Sequence, residues 1–154
     1  MLIATLLLSL AFSFSNRASE PTRAPDSPFD QYGAIGWEDE KARLDNFAVQ
    51  LQNWSDGVGF ILVVDSPGLC PGEAVARAIR AKRYVVEFRG IPANRVGWRR
   101  DGADADFRTT LLMVPRDASL PFPFYGTWAY QVDRPVPRDC KARLRKISRS
   151  KLRV

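Results

Sequence analysis

The spacing of apolar positions changes repeatedly along this chain, and each change marks an element. Residues 29–35 (FDQYGAI) alternate loosely and predict a short first strand. Leu44, Phe47, Ala48 and Leu51 then recur at i, i+3, i+4 and i+7, the mark of a helix with one buried face. Glu38, Asp39 and Glu40 stand at its start, where the helix dipole favours acids, and it should end between Asn53 and Gly57. Phe60 to Val64 is an unbroken apolar run rich in β-branched residues, as in a central strand covered on both faces.

Pro71-Gly72-Glu73 opens a second helix. Its inner stripe is Ala74, Ala78, Ala81, Val85 and Phe88, and its outer stripe carries Arg77, Arg80, Lys82, Arg83 and Arg89. Gly90 occupies the place of a left-handed C-cap, and Pro92 prevents continuation. Residues 95–100 and 108–114 predict two further strands joined by DGADAD, which reads as a solvated hairpin turn. The resulting order is β-α-β-α-β-β. It predicts an α/β (α+β) two-layer sandwich, with helices on one face of a mixed sheet.

A length of 154 residues suits one domain with a genuine core. Histidine is absent, which removes the commonest general base and the commonest metal ligand. Neither a P-loop nor a Rossmann glycine pattern occurs, and Ser66 has no histidine to activate it. No catalytic residue, cofactor or metal is therefore expected. Asp101, Asp104 and Asp106 lack the order and the distal Glu of a calcium loop, so a solvated turn is the better reading.

The net charge of +6 is unevenly placed. Lys141, Arg143, Arg145, Lys146, Arg149, Lys151 and Arg153 account for seven of the 23 basic residues, leaving 16 against 17 acids. Specific nucleic-acid binding is thereby disfavoured, since the basicity belongs to a tail and not to a folded face. Leu144, Ile147 and Leu152 are too sparse to suggest an amphipathic helix. Residues 141–154 read as a solvated basic tail able to contact anionic surfaces, either lipid headgroups or wall polymers.

Residues 2–14 (LIATLLLSLAFSF) are shorter than a membrane span and resemble a signal-peptide core, although no Lys or Arg precedes them. The expected organisation is a signal peptide over 1–18, a linker over 19–28, a domain over 29–115 and a proline- and aromatic-rich strap over 116–140. The expected location is periplasmic or secreted. Cys70 and Cys140 are either free thiols or a pair closing a loop of about 70 residues, and export favours the pair.

One constellation points to a ligand. Asp65 opens a D-x-x-G turn ending at Gly68, and Arg80-Ala81 lie on the helix that follows. A carboxylate and a guanidinium at one strand–helix mouth would suit a zwitterionic head group. The same residues also make an ordinary turn and a solvated helix face.

Several strings resemble the OmpA-like, peptidoglycan-associated domain over roughly residues 29–114. They are F-D near the first strand, DEKARLDNFAVQL, D-S-P-G, R-A and RGIPANRV. The resemblance implies that fold and a noncovalent grip on the diaminopimelate of a peptidoglycan stem peptide. It places Asp65, Gly68, Arg80 and Ala81 on the family's binding motif. This chain departs from the family pattern with Val64 for a Thr, Glu73 for an Asn and Ala76-Arg77 for Leu-Ser. FRTTLLMV also stands where a closing arginine-rich segment is usual. The expected partner is peptidoglycan or another envelope polymer. The alternative is a degenerate OmpA-like domain serving as a structural or protein-interaction module.

Overall fold

A computed structural model describes residues 27–118 and 139–149. The elements run β1 (Asp30–Tyr32), α1 (Trp37–Asn53), β2 (Gly57–Asp65), α2 (Glu73–Arg83), β3 (Val96–Ala103), β4 (Arg108–Pro115) and α3 (Cys140–Arg149). The predicted β-α-β-α-β-β order is present, and α3 follows it. Four strands form one mixed sheet in the order β1-β4-β2-β3. β2 runs parallel to β3 and antiparallel to β4, so it occupies the interior of the sheet. The signal-peptide segment and most of the linker and strap lie outside the described residues.

α1 forms where the i, i+3, i+4, i+7 pattern places it, burying Leu44, Phe47, Ala48 and Leu51. It sits so close to β2 that a Cβ on Gly59 would lie 2.5 Å from Phe47 Cζ. Ile61, Val63 and Leu111 from the sheet join Ala74, Ala78, Ala81 and Val85 in the shared core. Leu62, Val64, Leu112 and Val114, which alternate with the core-facing positions, are buried as well. Both parities of β2 are thus covered, as its continuous apolar run requires.

Three expectations change here. β3 and β4 flank β2 from opposite sides, so residues 104–107 are not a hairpin turn. They cross over the C-terminal end of β2. The Asp104 amide donates to the Asp65 carbonyl at 2.8 Å, and Phe107 is buried. DGADAD failed as a turn because its first three residues extend β3. Between Val63 and Asp65 the register shifts, with Gly102 at φ +88°, as at a bulge.

The second helix also changes character after Arg83. Tyr84 to Phe88 form a π-helical turn, with the Arg89 amide donating to the Tyr84 carbonyl. This wider turn buries both Tyr84 and Val85. Tyr84 stacks on Phe88 and donates to Asp45 at 2.6 Å. Gly90 then takes the left-handed conformation expected of it, at φ +70°. Arg95 closes the unit from the other side. Its guanidinium donates to the carbonyls of Leu51, Trp54 and Gly57, satisfying the C-terminal end of α1.

The tail expectation is corrected for residues 141–149, which the last residue of the strap, Cys140, joins in one element. They form α3, which packs on α2. Cys140 and Cys70 are joined in a disulfide with Cα atoms 5.5 Å apart. Arg143 pairs with Glu73 and Ile147 is buried. The inward stripe is therefore Cys140, Arg143, Leu144 and Ile147, again at i, i+3, i+4 and i+7. Reading only Leu and Ile as core residues hid it. Among the described residues, no helix is long and apolar enough to cross a membrane.

Candidate functional site

The C-terminal end of β2 lies where the chain turns from strand to α2, with β3 leaving alongside. Asp65 ends the strand and is buried. One carboxylate oxygen accepts from the Ser66 amide at 2.9 Å and the other from Arg100 of β3 at 3.0 Å. Arg100 pairs with Val63, two residues before Asp65 and on the same face of β2, and a bulge beyond it brings Ala103 level with Asp65.

Gly68 lies in the turn closed by the Leu69 amide donating to the Ser66 carbonyl. An added Cβ there would meet nothing within 4 Å, so no packing constraint requires glycine. Its carbonyl accepts from Arg143 at 3.4 Å. Ala81 faces the core and is 1% exposed.

Arg80 points toward α1. It donates to the carboxylate of Glu40, which is 2% exposed, and its guanidinium carbon lies 4.1 Å from the centre of the Trp37 ring. Tyr32 of β1 donates to the other Glu40 oxygen at 3.4 Å. Burial raises the Glu40 carboxyl above its ordinary range, an effect that Arg80 opposes. Burial likewise lowers Arg80, opposed by Glu40. Burial, and then the negative charge of Glu40, push the Tyr32 phenol up.

A third acid holds the turn. Glu73 is 1% exposed and accepts from the Cys70 amide at 3.1 Å, from Arg77 at 2.9 Å and from Arg143 at 2.8 Å. Burial would push its carboxyl up, but these donors outweigh burial and hold it below the ordinary range. Arg77 in turn lies over the Phe107 ring at 5.2 Å.

The structure thus gives Asp65 and Arg80 different ionic partners, Arg100 from β3 and Glu40 from α1. Glu40, Arg100 and Arg143 were not foreseen as members of this region, whereas Glu73 already stood at a position of the family motif. Glu40 carried a signal, since it stands four residues before Leu44 on the apolar stripe of α1. An acid in that position must be neutralised or paired. Two guanidinium Nε groups, on Arg80 and Arg100, are buried without a hydrogen-bond partner. Among the described residues, no cluster of three or more His, Cys, Asp or Glu side chains could hold a metal ion.

The chain matches no family model, and no curated protein or solved structure matches it.

Proposed function

We propose that this chain is a non-catalytic interaction module of the cell envelope, periplasmic or secreted, built on an OmpA-like plan. Its acid and arginine positions serve the module's own architecture instead of gripping diaminopimelate. The observation carrying this reading is the engagement of Arg80 by buried Glu40, with Trp37 stacked against it. A stem-peptide carboxylate would have to displace Glu40, leaving an unpaired buried acid behind. The β-α-β-α-β-β order, the D-S-P-G turn and RGIPANRV support the OmpA-like plan. The disulfide supports an oxidising compartment.

Sedimentation with insoluble peptidoglycan at low salt, with and without free diaminopimelate, tests the proposal. The expected result is no sedimentation that diaminopimelate can compete away. Sedimentation of the parent that free diaminopimelate competes away, and that is lost in an Asp65→Asn variant shown by its thermal melt to be folded, would overturn it.

That second outcome is the alternative reading, in which Asp65, Gly68, Arg80 and Ala81 bind the stem peptide. The buried Nε groups of Arg80 and Arg100 favour it, because each is a charged donor left without an acceptor.

A further inference from the structure

We propose that the second face of the sheet, turned away from α1 and α2, is the docking surface for the chain's own residues 119–138. Leu62 and Val64 of β2 and Leu112 and Val114 of β4 alternate with the core-facing positions and share that face. Their exposures are 6%, 7%, 9% and 1%, yet none belongs to the core shared with the helices. α1 and α2 meet the sheet on its first face and α3 packs on α2, so no described helix covers the second. Phe60 lies across Gly97 of β3 and covers only that side. A sheet face open to water leaves its side chains partly exposed. Four neighbouring aliphatic side chains this well buried therefore have a covering partner.

The occupant is identified by where the described chain stops and where it resumes. Pro115, at the end of β4, pairs with Gly57, the first residue of β2. Just beyond it the Ala118 amide donates to the Pro115 carbonyl at 3.1 Å, in a turn that reverses the chain. The chain resumes at Asp139 and Cys140, which the disulfide holds beside Cys70, past the other end of β2. Residues 119–138 must therefore travel the length of β2, about 30 Å for its nine residues. Twenty extended residues reach about 66 Å, ample for the crossing.

α1 and α2 occupy the first face, which leaves the second face or a sheet edge as the route. Composition selects the face. Phe122, Phe124, Tyr125, Trp128 and Tyr130 fall in a stretch, 119–132, that holds no charged residue. Along an edge these rings would meet mostly water, whereas the second face offers them four aliphatic side chains. Pro121 and Pro123 bar a helix and keep the segment extended, as a crossing needs. Residues 2–14 are apolar too, but only residues 119–138 are fixed at both ends of the sheet by the described chain. The inference holds whichever reading of Asp65 and Arg80 is correct. It also removes the second face from the surface that the module can offer a partner.

The experiment is methyl NMR on the full chain with its disulfide intact and its Leu and Val methyls labelled. Nuclear Overhauser contacts are expected from Leu62, Val64, Leu112 and Val114 to the rings of Phe122, Phe124, Tyr125 or Trp128. Contacts only to residues before 27 would give the face to another segment and overturn the proposal. Contacts only between molecules, in a mixed labelled and unlabelled sample, would give it to a second copy and do the same. Methyls without any contact beyond their own sheet would also overturn it. Phe124→Ser/Trp128→Ser supplies a second readout, with exposed Ile79→Ser as its control. The double variant should lower the urea midpoint and raise binding of an apolar dye several-fold, and the control should match the parent. A double variant indistinguishable from the control would show that those rings are not seated on the sheet. Should the double variant fail to fold, the contacts in the parent decide.

Discussion

The guanidinium of Arg80 and the carboxylate of Glu40 form an ion pair that ties α2 to α1 below the protein surface. Their side chains are 11% and 3% exposed, and Trp37 lies against the guanidinium. A pair so placed is governed by desolvation. Each charge is tolerated because the other is present, and the net contribution of the pair can be close to zero. This relationship separates the two uses of an arginine at position 80. One available to a ligand would be solvated or lightly held, whereas this one already neutralises an acid on the apolar stripe of α1.

The first prediction is that the two residues behave as a unit. Glu40→Leu or Arg80→Met alone should destabilise the domain by about 3–5 kcal/mol, because each strands a buried charge. Glu40→Leu combined with Arg80→Met should recover most of that loss. Urea unfolding of the parent, both single variants and the double variant measures the coupling. Strictly additive effects would show that the two charges are independently solvated.

The second prediction concerns acid. Glu73 is held below its ordinary value of 4.5, so the unfolded chain takes up that proton first as pH falls. Its contribution is fully present above about pH 4.5 and is lost as pH drops through the lower, folded value. Asp45, lowered by Arg89 and Tyr84 against the effect of burial, adds to the same trend. Glu40 has the opposite sign, since its raised carboxyl binds a proton more readily in the folded state. Melting temperatures measured from neutral to acid pH should fall steeply at the acid end in the parent. Glu73→Gln should lower stability at neutral pH and flatten that fall. An unchanged slope would mean that Glu73 is already solvated.

Much of this fold was legible because burial imposes a period on the chain. Leu44, Phe47, Ala48 and Leu51 fixed the buried face of α1, and Gly90 fixed the end of the second helix. Ionic partners were less legible, because they depend on register between elements distant in sequence. Arg100 meets Asp65 only because β3 pairs with β2 in the register that sets Arg100 opposite Val63, which no spacing of apolar residues encodes. Arg95 caps α1 only because β3 starts beside the end of that helix. α3 was missed for a different reason. Two of its four inward positions are a cysteine and an arginine, whose roles appear only once Cys70 and Glu73 are in place.

The third prediction follows from α3 being docked. Truncation after Asp139 removes the disulfide, the Arg143 pair to Glu73 and buried Ile147 together. It should lower stability, whereas an undocked terminus would leave stability unchanged. Reduction, or Cys70→Ala/Cys140→Ala, should account for about 2–4 kcal/mol of that loss in the chain-entropy account of cross-links. Thermal melts with and without reductant make the measurement. A truncated chain melting at the parent temperature would show that α3 adds nothing to the domain.

The last prediction contrasts two glycines. Gly59 lies beneath α1, where a Cβ would stand 2.5 Å from Phe47 Cζ and 2.8 Å from Leu51 Cδ1. Both of those side chains are fully buried, so neither can swing away. Gly59→Ala should therefore push α1 off the sheet and destabilise the domain by about 1–3 kcal/mol, the usual range for overpacking. Gly68 is the opposite case. It has open space around it and no left-handed backbone conformation, so Ala fits without strain. Gly68→Ala should be neutral or stabilising by up to about 1 kcal/mol, through a less flexible unfolded chain. Comparing the two by urea unfolding tests how closely α1 sits on β2. A tolerated Gly59→Ala would mean that helix and strand are further apart than described. A damaging Gly68→Ala would mean that the D-S-P-G turn is packed against something and not open.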